Sequence, residues 1–185
     1  NLRSNKYATF AGDNSQLRQE STPGAKAIWY VTDVVALDGG GIECKLHNFI
    51  SDYVYAAYNS FTETGVTTYI KENPYRAGYV CVSTTENLSS NCWDDQNEHT
   101  CIGNYNPRNT DNEGTSWTFE ESGAELSLVP CSYELKNIFN ETYTGEYNCR
   151  MYNGEVASYP KNVEKANAEL QDIEWEGNTL KATIV

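Results

Sequence analysis

Positive charge is scarce in this chain: 13 Lys and Arg stand against 26 Asp and Glu, a net charge of −13. Nucleic acid and anionic membrane surfaces are bound through basic patches, so the balance argues against both as partners. It favours a cationic ligand instead. No run of about 18 apolar residues occurs, so no helix is long and apolar enough to cross a membrane. Histidine is limited to His47 and His99, and neither a GxSxG elbow nor an HExxH pair is present. The nucleophile–base arrangements that such motifs supply are therefore missing. His47 lies in IECKLHNFI on the parity of Glu43 and Lys45 and reads as a surface strand histidine.

Metal and phosphate motifs are missing as well. Cys92, His99 and Cys101, with Asp94, Asp95 and Glu98 nearby, do not have the spacing of a zinc ribbon or finger. CWDDQNE and DNEGTSW lack the ordered ligand spacing of a calcium loop. DGGG at Asp38 to Gly41 is followed by no helix and reads as a turn rather than a phosphate cradle. Two carboxylates could hydrolyse a glycoside, but no local motif nominates a pair among the many acids. Neither enzyme activity nor a cofactor is expected.

What is present points to an extracellular β-protein. The chain begins at Asn1 rather than Met, as a processed secreted chain would. Cys44, Cys81, Cys92, Cys101, Cys131 and Cys149 are an even number with no CxxC pair. Beside the sequons at Asn87 and Asn140 they read as three disulfides, for which fifteen connectivities are open.

One domain of 185 residues is expected, large enough to bury its own core. Residues 1–24 are polar, with a short helix over NSQLRQE after the N-cap Asp13. Residues 25–152 then carry short β-branched and aromatic runs bounded by Gly, Asn, Asp or Pro: AIWYVTDVVAL, IECKLHNFI, YVYAAYNSF, VTTYIK, AGYVCVST, TSWTFEE, ELSLV, YELKNIF and YNCRMY. Between them, SSNCWDDQNEHTCIGNYNPRNTDNEGT reads as a long irregular segment. A helix is expected over 160–172, where Val163, Ala166 and Leu170 share a face, and a strand or hairpin over 173–185 turning at Gly177-Asn178. Strands at this spacing suggest an antiparallel barrel or a disulfide-stapled sandwich.

Ile28 to Phe49, IWYVTDVVALDGGGIECKLHNF, resembles the first strand and first cysteine of arthropod salivary lipocalins of the tick type. SYELKNIF followed by Cys149 is similar to that family's late Glu-Leu strand before a cysteine. The resemblance implies a lipocalin-like barrel, with a short N-terminal helix and one late helix, that sequesters a small mediator. Lys136 follows Glu134-Leu135 and no Cys-Asp pair precedes them, so the family's amine-binding pattern is incomplete. YVYAAYNSF carries no histidine for haem.

A barrel of this size encloses one small-ligand pocket. Trp29, Asp33, Tyr55, Trp117, Phe119 and Glu134 are then the candidate ligand-binding residues, with Tyr53 and Phe61 as further lining. Parity places Asp33 on the side of Trp29, and a carboxylate buried there requires a cation. The expected partner is a small cationic or amphipathic ligand. The rival reading is a structural or adhesive subunit, pilin- or filament-like, that self-associates through sheet edges. A third, a glycan-binding protein, rests on an exposed platform at Trp93.

Overall fold

The computed structural model describes residues 1–10, 17–50, 54–57, 60–62, 66–97, 100–158 and 169–185, with backbone alone at 54–57, 60–62, 66, 96–97 and 100–105. The protein is mainly β, with no α-helix among the described residues. It divides into two compact units, Asn1–Ser122 and Gly123–Val185. The single-domain reading marks no boundary at EESGAE, a segment too short to stand out as a linker.

The first unit contains β1 (Tyr7–Thr9), β2 (Arg18–Glu20), β3 (Trp29–Ala36), β4 (Ile42–Asn48), β5 (Val54–Ala57), β6 (Ser60–Thr62), β7 (Val66–Glu72), β8 (Val80–Ser83), β9 (Cys92–Asn97) and β10 (Thr100–Tyr105). Six of these form one sheet in the order β10-β9-β8-β7-β4-β3, antiparallel at every step and curled into a half-barrel. β1–β2 and β5–β6 form separate two-stranded pairs. Alternation sets the faces: in β4, Cys44, Leu46 and Asn48 are buried while Glu43, Lys45 and His47 are half-buried. The DGGG segment is the expected turn, with Gly40 and Gly41 both at φ +87°. Gly41 also lies against β7, where a Cβ would meet the Ile70 carbonyl at 2.6 Å.

The second unit contains β11 (Leu126–Asn137), β12 (Thr142–Tyr152), β13 (Glu155–Val156), β14 (Leu170–Glu176) and β15 (Thr179–Ile184), in the order β13-β12-β11-β15-β14. The β14–β15 hairpin turns at Gly177, as the sequence predicts. β15 runs parallel to β11. That pairing departs from the all-antiparallel order of an up-and-down barrel. Leu135, Leu180 and Ala182 form the core, with Tyr133, Leu170 and Ile184 packed against them. Pro130 interrupts nothing, because β15 flanks β11 only from Ser132 onward and the proline needs no donor on that side.

Three sequence expectations differ from the structure. Arg18–Glu20, expected in the N-terminal helix, pairs as β2 with β1 and so buries Leu17 and Gln19. Residues 11–16 of that expected helix lie outside the described residues. Leu170 to Asp172, expected as the end of the late helix, begin β14, where Leu170 pairs with Ile184; residues 159–168 lie outside the described residues. The supposedly irregular segment holds β9 and β10, whose polar composition hides their strand character. In each case tertiary pairing overrides a weak local preference.

Within the second unit, Tyr133 lies directly opposite Gly145, and its ring occupies the space a Cβ would fill. The ring also meets Tyr147 edge-on, at 6.2 Å between centroids. Gly145→Val should displace Tyr133 and cost about 1–3 kcal/mol of stability. Urea unfolding of the variant, monitored by tyrosine fluorescence, checks this.

Candidate functional site

The aromatic centre of the first unit is built by three tryptophans from three places in the chain. Trp93 on β9 stands between Trp29 on β3, at 5.1 Å, and Trp117, at 5.9 Å, both contacts edge-to-face. Such pairs contribute about 0.5–1.5 kcal/mol each beyond their burial. Their donors are satisfied by backbone: Trp29 Nε1 donates to the Ala8 carbonyl (3.0 Å) and Trp117 Nε1 to the Trp93 carbonyl (2.9 Å). Trp93 and Trp117 are buried, whereas Trp29 is half-buried and is the member that solvent reaches. Leu46, Val82, Ala8 and Leu17 complete the cluster.

Beside the cluster lies an acidic pocket around one cation. Asp94 and Asp95 are buried on β9, and Arg3 reaches both. Arg3 Nε donates to Asp95 Oδ1 at 2.8 Å, a second guanidinium nitrogen contacts the same oxygen, and Nη1 meets Asp111 at 2.5 Å. The Asp95 hydrogen bond raises the Arg3 pKa further above its ordinary value. Gly114 makes room for this pair, since a side chain there would strike both Arg3 and Asp95.

The structure separates the candidate residues. Trp29 and Trp117 meet through Trp93. Asp33 does not join them: it is exposed, at φ +52°, inside a bulge where the register of β3 slips between Thr32 and Val35. The bulge resets the alternation that the parity argument relied on, so the inward orientation is corrected to an outward one. Phe119 is 54% exposed, because the segment around Trp117 makes only an isolated bridge to Val80 and does not continue as a strand. Tyr55 lies on β5, with its side chain outside the described residues, as are the side chain of Phe61 and all of Tyr53.

Glu134 belongs to the second unit, on β11, half-buried opposite Lys181 on β15. The cation it meets is therefore the chain's own: Lys181 is held charged chiefly by Glu176, with a smaller attraction from Glu134. His47 sits on the sheet surface as expected, stacked on Tyr30 at 4.7 Å and bonded to Thr32 at 2.8 Å. Trp93, proposed from sequence as an exposed glycan platform, is 5% exposed on β9 and cannot serve as one. Among the described residues no group of acids, cysteines and histidines could hold a metal ion.

Sequence reasoning missed an open cleft of about 490 Å³ in the second unit, lined by Pro130, Cys131, Ser132, Glu146, Tyr147, Asn148 and Asn178. Its signal was weak, because the sequence pattern starts the relevant strand only at Tyr147, whereas β12 begins at Thr142. Both sequon asparagines, Asn87 and Asn140, are exposed, the latter at the tip of the β11–β12 hairpin beside the exposed Ile138 and Phe139. No family model, curated protein or solved structure matches the chain.

Two stability tests follow from this geometry. Arg3→Ala removes the cation from buried Asp95 and should cost about 3 kcal/mol, the low end for a broken buried pair because Arg3 itself is partly exposed. Chemical denaturation of the variant measures it. At the β3 bulge, Asp33→Val places a β-branched residue in the left-handed region and should cost about 1–2 kcal/mol. Asp33→Gly should stay within about 1 kcal/mol of the parent, since glycine adopts that conformation without penalty. Equal losses for the two variants would mean that the carboxylate, not the backbone, matters at this position.

Proposed function

We propose that the protein is a secreted binding protein of lipocalin type that sequesters a small cationic or amphipathic mediator. The observation that carries this reading is the six-stranded antiparallel meander curled around a tryptophan cluster. Up-and-down order of this kind is how carrier barrels surround a ligand. The net charge of −13 favours a cation, and Trp29 offers an indole face for cation–π contact. Glycosylation at Asn87 and Asn140 fits the same extracellular setting.

Titration with histamine, serotonin or a fatty acid, followed by intrinsic tryptophan fluorescence, tests the reading. A saturable change that Trp29→Ala reduces supports it. No change with any of the three up to about 1 mM, where binding contributes only about 4 kcal/mol, would overturn it.

The second reading, a structural subunit assembling through sheet edges, is favoured by β3. It is an edge strand with Tyr30, Val31, Val34 and Val35 all exposed. The Asp33 bulge opposes flat edge-to-edge addition. Ordered polymers in electron micrographs of native material would favour the subunit over the carrier.

A further inference from the structure

We propose that Cys81 pairs with Cys92, and Cys131 with Cys149, as two disulfides, one inside each compact unit. Among the described residues no two sulfurs stand at bonding distance, and all five described cysteines are buried thiols. Their placement is nevertheless selective. Ser83 lies opposite Cys92, and Cys81 precedes Ser83 by two residues on β8, so Cys81 and Cys92 share a face as diagonal neighbours. Cys131 lies opposite Tyr147, and Cys149 follows Tyr147 by two residues on β12, which gives the same relation. Diagonal neighbours are about 7–8 Å apart at Cα, an approach of about an ångström from the span a disulfide bridges.

The sulfurs already sense one another. A charge on Cys92 would raise the Cys81 pKa, and a charge on Cys131 would raise that of Cys149. Topology separates Cys44 from Cys81. Cys44 lies on β4, and β7 stands between it and Cys81. Its sulfur faces the Thr68 carbonyl at 3.7 Å. Cys44 and Cys101 are the two cysteines left over; the side chain of Cys101 lies outside the described residues, and no bridge is assigned to them.

Each bridge forms one S–S bond and breaks two S–H bonds. Two electrons and two protons pass to a disulfide oxidant, oxidised glutathione or a disulfide-bearing oxidoreductase, which is reduced to two thiols. The attacking species is a thiolate. Burial pushes Cys81 up to about 12 and Cys92 up to about 11, so in the folded chain both are protonated at neutral pH and unreactive. Oxidation therefore belongs to the folding chain, before these strands close over the sulfurs.

Peptide mapping without reductant tests the assignment, on full chain secreted from eukaryotic cells and on full chain refolded in a glutathione redox buffer. Refolding separates this proposal from the question of secretion. The expected map contains Cys81 linked to Cys92 and Cys131 linked to Cys149, and a Cys81→Ser/Cys92→Ser variant keeps only the second link. Recovery of any of the four as a free thiol after refolding, or joined to a different cysteine, overturns it.

A second measurement reads the same pair in solution. A thiol whose folded pKa lies above its unfolded value stabilises the fold fully below the unfolded value, near 9, and the contribution is lost as pH rises through the folded value. Reduced protein should accordingly lose more stability between about pH 9 and about 12 than oxidised protein does, since the raised Tyr69 and Tyr143 hydroxyls act in both forms. Identical alkaline profiles for the two forms would overturn the Cys81–Cys92 bridge.

Discussion

Trp93 is the residue on which the first unit depends. It makes edge-to-face contacts with Trp29 on one side and Trp117 on the other, and its own carbonyl accepts the Trp117 indole N–H. Trp29 in turn donates to Ala8, which brings the N-terminal segment onto the sheet. Four separate stretches of chain are thereby held by contacts that are directional as well as apolar. An indole buried without an acceptor would leave a desolvated donor, so the backbone carbonyls fix where each ring can sit. The tryptophan cluster is the buried apolar core of this half-barrel unit.

Both large sheets face the problem of unpaired edges, and both answer it in the same way. β3 bounds the six-stranded sheet and β14 the five-stranded one. Each carries exposed apolar side chains, Val34 and Val35 on β3, Ile173 and Trp175 on β14. Each is broken by a register slip at an aspartate with φ +52°, Asp33 and Asp172 respectively. A bulge twists the edge, and a carboxylate at the kink discourages a second strand from adding there. The acid in WYVTDVVA thus finds its explanation in the backbone and the edge, not in a buried cation. This recurrence weighs against edge-to-edge assembly as the everyday state of the protein.

Much of the strand pattern was legible because its cause is local. WYVTDVVA, IECKLHN, VTTYIKE and the hairpin at Gly177 announce themselves through β-branched alternation and turn residues. Asp33 illustrates what was not legible: a bulge changes parity without changing composition, so no periodicity argument could detect it. β9 escaped because CWDDQN is polar on both faces, its buried aspartates being held by Arg3 from the other end of the unit. The parallel β11–β15 pairing was hidden for a similar reason, since it joins segments more than 40 residues apart and leaves no mark on either. Of the tryptophan cluster, Trp29 and Trp117 were visible as aromatic residues in strand-like runs, and Trp29 alone of the two lies on a strand. Trp93 was misread as exposed because its loop-like neighbours masked its partners.

The second unit sharpens the question of what holds so small a body together. It runs from Gly123 to Val185, and among its described residues the buried apolar side chains besides the cysteines are Leu135, Leu180 and Ala182, with partly buried Tyr133, Leu170 and Ile184 packed against them. A body of that size seldom gains more than about 3–5 kcal/mol from its core alone. Its hydrogen-bonded ladders do not make up the difference, because each bond replaces one made to water. A cross-link between β11 and β12 acts on the other side of the balance by restricting the unfolded chain, an effect of about 3 kcal/mol for a loop of this length. Cys131 and Cys149 are buried diagonal neighbours on the two longest strands of that sheet, where such a link would tie the hairpin that carries the parallel partner β15. They also flank Tyr147, which with Cys131 lines the open cleft, so the same link would fix one wall of that cleft.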